Sequence, residues 1–463
     1  RIAGEDVLYL DPLPVAEAVS LFFDRARAVQ PGFGRIDANE PVVTEIVERL
    51  DCMSLAIELA AARVRMLTPE KILERLSQRF KLLRGQRRDK SARHAALRGA
   101  IDWSWDLLKP YEQSALSQLS VFRGGCTLEA AEVVVDLDAF EEAPWVMDVV
   151  EALVDHSLLR RVEPFPGHVR YRMLESIREY AAERLGADEG ATALRHGQHF
   201  ASLGTEAFLK SLETHGGVER RKTLALELDN LLEGVDAGLA AGEWEAAAGC
   251  ALAAAELFQM HGPYSDGIAL LERILGQPLG RGTQGRLLGS AGLLLSLGGR
   301  PASALEHCQQ ALAIHREVGN RQSEGITLSL LAPLHRDQGR ISDALEHYDQ
   351  ALAIHREVGD RLGEGVTLVN LASLHHEQGH ILEALEYYQQ ALAIQREVGN
   401  RRSEGITLGN LAWLHREQGR IPDALEYCQQ SLAIHREVGN RGSEGITLGN
   451  LGDLLFAQGN LLS

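Results

Sequence analysis

The sequence lacks several features that would place the protein in familiar functional classes. Its five cysteines are scattered and none forms a CxxC pair, which argues against a disulfide framework or a zinc site and favours reduced thiols. No apolar run reaches the length of a membrane span, and no signal peptide is recognisable. Excess positive charge is also missing: the formal net charge is −18, so a general nucleic-acid or anionic-membrane binder is not expected. These observations predict a cytoplasmic protein.

The signatures of an enzyme are missing as well. The nearest approach to a phosphate-binding loop, GQRRDKS from Gly85 to Ser91, lacks the second glycine, has the wrong spacing and does not follow a strand. The surrounding basic run, residues 79–98, is interpreted as a solvated linker, with phosphate contact at an interdomain cleft as the alternative. No nucleophile is matched with a base elsewhere. We therefore predict no catalytic residues, no enzymatic activity and no cofactor held by this chain.

Two histidine patterns resemble metal sites. HEQGH at His376–His380 satisfies HExxH, but that motif needs both histidines on one uninterrupted helix, and Gly379 is expected to be an inter-helix turn. Histidines also recur every 40 residues, in the sets His315, His355, His435 and His335, His375, His415. Repeat duplication explains them without a metal, so we predict no metal site, although a metal or pH response is the alternative.

The second half of the chain is a repeat. ALAIHREVGN at 311–320 returns in close copies from residues 351, 391 and 431, so the period is 40 residues. Each unit contains two helical stretches that are separated and closed by glycines, which commonly cap helix ends. One helix pair cannot bury its apolar face alone, whereas stacked pairs form a continuous core. The pattern predicts an α-solenoid over residues 276–463, preceded by a helical linker with degenerate repeats over residues 188–275.

The unit resembles the tetratricopeptide repeat, because residues of that family's signature recur at its spacings: Leu411, Ala412, His415, Gly419, Ala424, Cys428 and Ser431. The resemblance implies that the first helix of each pair lines a concave wall, where Asn370, Asn410 and Asn450 contact the backbone of a captured peptide. The alternative is that these asparagines bond neighbouring helices. The last unit reaches Ser463 where its second helix should begin, so we expect the array to be truncated.

The first half is predicted to be mostly helical, in two domains. Amphipathic patterns predict helices at residues 15–28, 40–50, 55–66 and 69–79, which form a small helical domain over residues 1–90. Helices at 97–108, 110–120, 127–135 and 145–155 are followed by strand-like runs at 158–162 and 169–173 and a helix from Glu175. This order is typical of a winged-helix domain, here residues 91–187. The fold class is thus all-α dominated, with one small β-hairpin.

Four segments in this order resemble the back end of NB-ARC-type (STAND) signal-transduction ATPases of the bacterial AfsR-like and MalT-like kind: RIAGEDVLYLDPLP, LDCMSLAIELAAARVRML, the stretch from Leu97 to Val134, and RMLESIREYAAERL. The resemblance covers essentially the whole chain. It implies a nucleotide-binding domain upstream of Arg1 that holds ATP or ADP in the full-length protein, with the repeats as sensor. It also implies nucleotide contact at Met53, Ser54 and Leu55. Ser54 replaces the family's proline and Leu174 its phosphate-contacting histidine, which favours the alternative that both segments pack domain interfaces.

Three hypotheses follow for the function. The first is the regulatory part of a nucleotide-switched protein, whose repeats bind a partner protein or peptide and whose winged helix controls the switch, with self-assembly an open question. The second is a DNA-binding transcriptional regulator that uses the winged helix. Residues 98–185 carry nine Lys or Arg against sixteen Asp or Glu, which makes nucleic-acid binding by this chain unexpected. The third is a structural protein-interaction scaffold.

Overall fold

The computed structural model describes residues 13–33, 39–50, 52–83 and 91–461. It divides into two compact units, residues 1–199 and 200–463. Over the described residues the chain is almost entirely helical, with one two-stranded antiparallel sheet. The predicted all-α fold class is therefore confirmed. The predicted division into four domains is finer than these two units and stays a prediction.

The first unit contains the small helical region and the winged helix. Its first helices are α1 (Val15–Val29), α2 (Glu40–Arg49), α3 (Ser54–Ala61), α4 (Pro69–Leu83) and α5 (Ser91–Asp106), with a 3-10 turn at Ala62–Arg65. The winged helix follows as α6 (Pro110–Leu119), α7 (Leu128–Val134), α8 (Val146–Asp155), β1 (Arg160–Val162), β2 (Arg170–Arg172) and α9 (Glu175–Ala182). The helices and both strands lie where the sequence predicts them, within a few residues at their ends.

The second unit begins with irregular helical segments. It contains α11 (Glu206–Ser211), α12 (Gly217–Ala225), α13 (Leu228–Ala241), α14 (Trp244–His261) and α15 (Tyr264–Leu275), after α10 (Glu189–Ala201), which spans the boundary between the units. Helices α14 and α15 pack as a pair, and α14 also contacts the first helix of the next pair. This arrangement is the degenerate repeat that the sequence suggests around Gly262.

The repeat array follows with regular helix pairs. The first helices of the pairs are α16 (Arg281–Leu297), α18 (Arg321–Asp337), α20 (Arg361–Glu377), α22 (Arg401–Glu417) and α24 (Arg441–Leu461). The second helices are α17 (Pro301–Val318), α19 (Ile341–Glu357), α21 (Ile381–Val398) and α23 (Ile421–Glu437). Gly339, Gly379 and Gly419 have positive φ at the turns within pairs, as expected for glycine after a helix end. Helix α24 differs, because it continues through Gly459, where a turn would be expected from the period.

A repeated ion-pair network explains why REVGNRxSEG recurs. Glu404 at the start of α22 is buried and is bound by Arg396, at 2.9 Å from Nε to Oε1, and by Arg401, at 2.5 Å from Nη1 to Oε2. Arg401 also reaches the exposed Glu437 at the end of α23, at 2.6 Å. Glu324 and Glu364 are held by arginine pairs in the same way. Each network thus ties the start of a first helix to the second helices on both sides of it.

Candidate functional site

The first helices of the pairs form one wall of the array. Each of α16, α18, α20 and α22 contacts the next first helix, so their side chains form a continuous face. Glycine permits the close packing behind this wall. A Cβ at Gly325 would stand 2.9 Å from the His355 ring, and one at Gly405 would stand 2.8 Å from the His435 ring. The equivalent contact of Gly365 is with Ile394, since Gln395 replaces histidine there.

An aliphatic ladder runs along this wall. Its members occupy the same position in four successive first helices and are all partly exposed: Ile326, Val366, Ile406 and Ile446. One helical turn later stand Leu330, Asn370, Asn410 and Asn450, on the same face of each helix. The aliphatic ladder was not predicted from the sequence. An aliphatic residue that recurs every 40 residues outside the buried positions was the signal that could have revealed it.

The three predicted asparagines occupy equivalent sites on α20, α22 and α24 and are half-buried. Asn370 lines a cavity in the wall. Tyr388, close to Asn410, hydrogen-bonds with the Ser373 hydroxyl at 2.9 Å, and burial raises its pKa. Peptide contact by these asparagines stays a prediction.

The cavity has a volume of about 360 Å³ and lies between α11, α14, α16, α18 and α20. Its apolar lining comes from Leu209, Leu252, Leu293, Ile326, Leu362 and Val366. A carboxylate, Glu256, faces this apolar space, and burial raises its pKa, against the opposing effect of Arg221 and Arg402. Most of the surface exposed in the cavity is apolar, and the charged side chains Glu206, Lys210, Glu256, Arg286 and Asp360 also border it. Apolar surface with polar groups that fix orientation is the usual form of a ligand site.

Asp360 is the strongest electrostatic feature at the cavity. Its side chain is 4% exposed and pairs with Lys210, at 2.8 Å from Nζ to Oδ1. The His355 ring lies 3.3 Å away on its other oxygen. Burial acts to raise the pKa of Asp360, but His355 and Lys210 together outweigh it and hold the pKa well below its ordinary value. Asp360 is therefore a buried carboxylate whose charged form is favoured, and it was not among the residues predicted from the sequence.

The histidine patterns have structural explanations. In HEQGH, α20 ends at Glu377, Gly379 has a φ of 79° and α21 begins at Ile381. His376 therefore lies near the end of α20 and His380 directly precedes α21, so no uninterrupted helix carries both histidines, as predicted. His315, His355 and His435 are buried, and each packs against a glycine of the first helix in its own pair. Over the described part of the chain, no three His, Cys, Asp or Glu side chains are grouped so that they could hold a metal ion.

The nucleotide-contact residues carried over from the resemblance lie at the start of α3. Met53 directly precedes the helix in an extended conformation, Ser54 is its exposed first residue and Leu55 is half-buried. Leu174 directly precedes α9. The stretch from Gly85 to Lys90 lies outside the described residues. Nothing in these positions tests nucleotide contact, which stays a prediction.

The winged helix presents an acidic surface where such domains usually read DNA. Helix α8 precedes the hairpin and occupies the place of a recognition helix. It exposes Asp148, Glu151 and Asp155 and contains no Lys or Arg. Two hairpin arginines are used inside the domain: Arg170 and Arg172 donate to the backbone carbonyls of Gly125 and Gly124. The local charge thus opposes the approach of a phosphate backbone to α8.

Comparisons with known proteins agree with this architecture. The tetratricopeptide repeat family matches residues 283–357, 325–397, 363–434 and 403–462, and the winged helix-turn-helix domain family matches residues 108–186. "Putative HTH-type transcriptional regulator Rv0890c" of Mycobacterium tuberculosis is 40% identical over 238 residues, which are 50% of this chain and 26% of that protein. "Uncharacterized protein Rv0894" of the same species is 38% identical over 195 residues, 42% of this chain and 49% of that protein. The chain therefore spans half or less of the length of these relatives.

A solved structure has a similar fold over nearly the whole chain. The crystal structure of a signal transduction ATPase with numerous domains (STAND) protein with a tetratricopeptide repeat sensor, from Pyrococcus horikoshii, aligns with a TM-score of 0.51. The alignment covers 96% of this chain and 63% of that one. Because the sequence identity is only 15%, the similarity shows a shared fold and nothing about function. In the described residues no helix is both long and apolar enough to cross a membrane. The chain thus combines a winged-helix domain with an array of tetratricopeptide repeats.

Proposed function

We propose that this chain is the regulatory and sensor portion of a cytoplasmic signal-transduction protein whose repeat array binds a partner protein or peptide. The observation that carries the proposal is the wall of first helices, with its partly exposed aliphatic ladder, its row of asparagines and the 360 Å³ cavity. An exposed apolar surface of this kind typically marks an interaction site. Tetratricopeptide repeats are not a catalytic fold, and the regulator names of the mycobacterial relatives support a regulatory role.

The finer part of the proposal is a nucleotide switch. A domain that binds ATP or ADP, outside this chain, would be restrained by the winged helix and released when the repeats bind their partner. Such coupling requires that the partner bind the released state more tightly than the restrained state. The fold similarity to a STAND protein with a repeat sensor supports this arrangement.

Direct DNA reading by the winged helix is the weaker candidate. Its support is the name of the mycobacterial relatives as HTH-type regulators. The charge of α8 argues against DNA reading, because this helix exposes three carboxylates and contains no Lys or Arg. A scaffold without a switch is the remaining alternative. The binding experiment below tests partner binding, which a scaffold and a sensor share. A nucleotide assay on the full-length protein then distinguishes the sensor from the scaffold.

The proposal is tested by peptide-library binding to the full chain and to a triple variant in which Asn370, Asn410 and Asn450 are replaced by alanine. We expect the best library peptides to bind the variant at least ten-fold more weakly, about 1.4 kcal/mol. The matched control replaces Gln310, Gln350 and Gln390 by alanine, since these amides recur with the same step on second helices and each donates to a glutamate of its own helix. Library binding that no substitution on the wall weakens would refute the proposal.

A further inference from the structure

A segment of the chain itself lies across two successive repeats in the second unit. We call residues 205–216 the strap; it contains α11 and the turn that follows it. The Ser323 hydroxyl donates to the Glu206 carboxylate at 3.2 Å, at the start of α18. Lys210 pairs with Asp360, just before α20. His215 donates its backbone N–H to the carbonyl of Val398 at 3.2 Å, at the end of α21. The strap thus contacts the repeat of α18 and both ends of the repeat formed by α20 and α21.

The repeat that holds the centre of the strap differs from its neighbours. In the repeats that begin with α18, α22 and α24, the residue before the first helix is Asn320, Asn400 or Asn440, and its side-chain oxygen accepts from a backbone N–H three residues later. Asp360 replaces this asparagine and faces Lys210 and His355 instead. Gly363 replaces a serine, and a Cβ there would collide with the His355 ring. The exchange of two residues therefore creates a buried anionic site where those three repeats have a cap.

Part of this repeat's departure from its neighbours borders the cavity. Over residues 360–369 the unit differs from the next one at five positions: Asp360, Leu362, Gly363, Val366 and Val369. Four of these five line the cavity, together with Leu209 and Lys210 of the strap. The unit also differs at eight later positions that do not line the cavity: Ser373, His376, His380, Leu382, Glu383, Tyr388, Ala391 and Gln395. The start of this repeat therefore gives the cavity a chemistry that the next repeat lacks.

Electrostatics limit what can occupy this place. A buried carboxylate without a partner is costly, and Asp360 is paired with Lys210 at 2.8 Å. Burial acts to raise the pKa of Asp360, but His355 and Lys210 lower it further, which favours the charged form. Whatever replaces the strap must therefore supply a cation at Asp360. We expect it also to supply an apolar group, because most of the surface exposed in the adjoining cavity is apolar.

We propose that the strap is a displaceable occupant of the partner site, and that the partner is a peptide segment with an aliphatic side chain next to a lysine or arginine. The aliphatic side chain enters the cavity in place of Leu209, and the cation pairs with Asp360 in place of Lys210. The inference rests on the proposed function, since it names the chemistry of the peptide that the array binds. The strap makes binding competitive, so the partner engages the array only by releasing residues 205–216.

The test uses the full chain and a fluorescein-labelled synthetic peptide with the strap sequence, LGTEAFLKSLETHGG, residues 203–217. In the chain variant Lys210→Met the internal strap loses its ion pair, and we expect the peptide to bind at least ten-fold more tightly than to the unchanged chain. The double variant Lys210→Met/Asp360→Asn should lose this gain, because the peptide lysine then has no carboxylate to meet. A peptide with glutamate in place of the lysine should not bind any of the chains.

The matched control is Lys222→Met, which removes a lysine of α12 that pairs only with Glu219 of its own helix. We expect this variant to bind the peptide as the unchanged chain does. Equal binding to the Lys210→Met and unchanged chains, or a gain that persists with Asp360→Asn, overturns the proposal. Circular dichroism confirms that each variant is folded. If Lys210→Met does not fold, hydrogen exchange of residues 206–212 in Asp360→Asn replaces it: we expect at least ten-fold faster exchange, and an unchanged rate overturns the proposal.

The two proposals can fail separately. Library peptides that depend on Asn370, Asn410 and Asn450 but bind equally to Lys210→Met and unchanged chains would refute the strap as a competitor and leave the array as a peptide binder. A strap peptide that binds as expected, with no library peptide dependent on the wall, would limit the site to the chain's own segment and refute the general partner.

Discussion

Replacing Glu404 by glutamine should destabilise the repeat array far more than the same replacement of Glu437. Both carboxylates pair with Arg401, at 2.5 Å for Glu404 and 2.6 Å for Glu437. They differ in burial, since the Glu404 side chain is 6% exposed and the Glu437 side chain is 51% exposed. Glu404 also binds Arg396, so its loss leaves two guanidinium groups without their shared carboxylate.

The magnitude follows from burial and charge. Hydrogen bonds to charged groups contribute about 1.5–3 kcal/mol, and breaking a fully buried ion pair costs about 3–5 kcal/mol. The two arginines of Glu404 are half-exposed and recover part of their hydration, which reduces the loss. We therefore expect about 2 kcal/mol for Glu404→Gln. An exposed pair contributes about 0.2–1 kcal/mol, so Glu437→Gln should cost about 0.5 kcal/mol or less.

The assay is urea unfolding of the full chain, monitored by far-ultraviolet circular dichroism, at low salt and at about 0.5 M salt. Over this range of salt the Debye length falls from about 10 Å to about 4 Å, so exposed ion pairs are screened more strongly. With a slope of about 2 kcal/mol per molar urea, Glu404→Gln should lower the array midpoint by about 1 M. Salt should diminish the small effect of Glu437→Gln and leave most of the effect of Glu404→Gln. Equal midpoint shifts for the two variants would refute the argument that burial decides the contribution of these pairs.

Two further predictions concern the packing behind the wall. Gly405→Ala places a Cβ 2.8 Å from the His435 ring and should lower the free energy of unfolding by about 1–2 kcal/mol, as measured by thermal unfolding. Gly445→Ala is at the same repeat position with nothing within 4 Å, so it should be neutral or slightly stabilising. A larger loss of stability for Gly445→Ala would contradict the packing argument. Burial lowers the pKa of both His315 and His435, so the unfolded chain binds more protons below pH about 6.5 and stability should fall as the pH decreases from there. The double variant His315→Gln/His435→Gln, which copies Gln395, should unfold with a smaller loss of melting temperature between pH 7.5 and pH 5.5; an undiminished loss would show that other groups control it.

The sequence by itself determined the elements and most of their order. The 40-residue period, the turn glycines and the 3.6-residue apolar spacing identify the helix pairs, because each repeat buries the same face against its neighbours. The winged-helix order of helices and hairpin was also readable, since each element carries its own local pattern. The break of HEQGH at Gly379 followed from the period alone, and the structure confirms it.

Only the tertiary structure showed what those elements bring together. Lys210 and Asp360 are 150 residues apart, and nothing in their local sequence indicates that they form a pair. The strap belongs to no repeat, so no period predicts that it lies across two of them. The exposed ladder from Ile326 to Ile446 resembles core positions in the sequence, because the pattern marks an aliphatic residue without showing whether a neighbour covers it. Repetition determines local structure and stacking; the cavity arises where one repeat departs from the others and a distant segment packs against it.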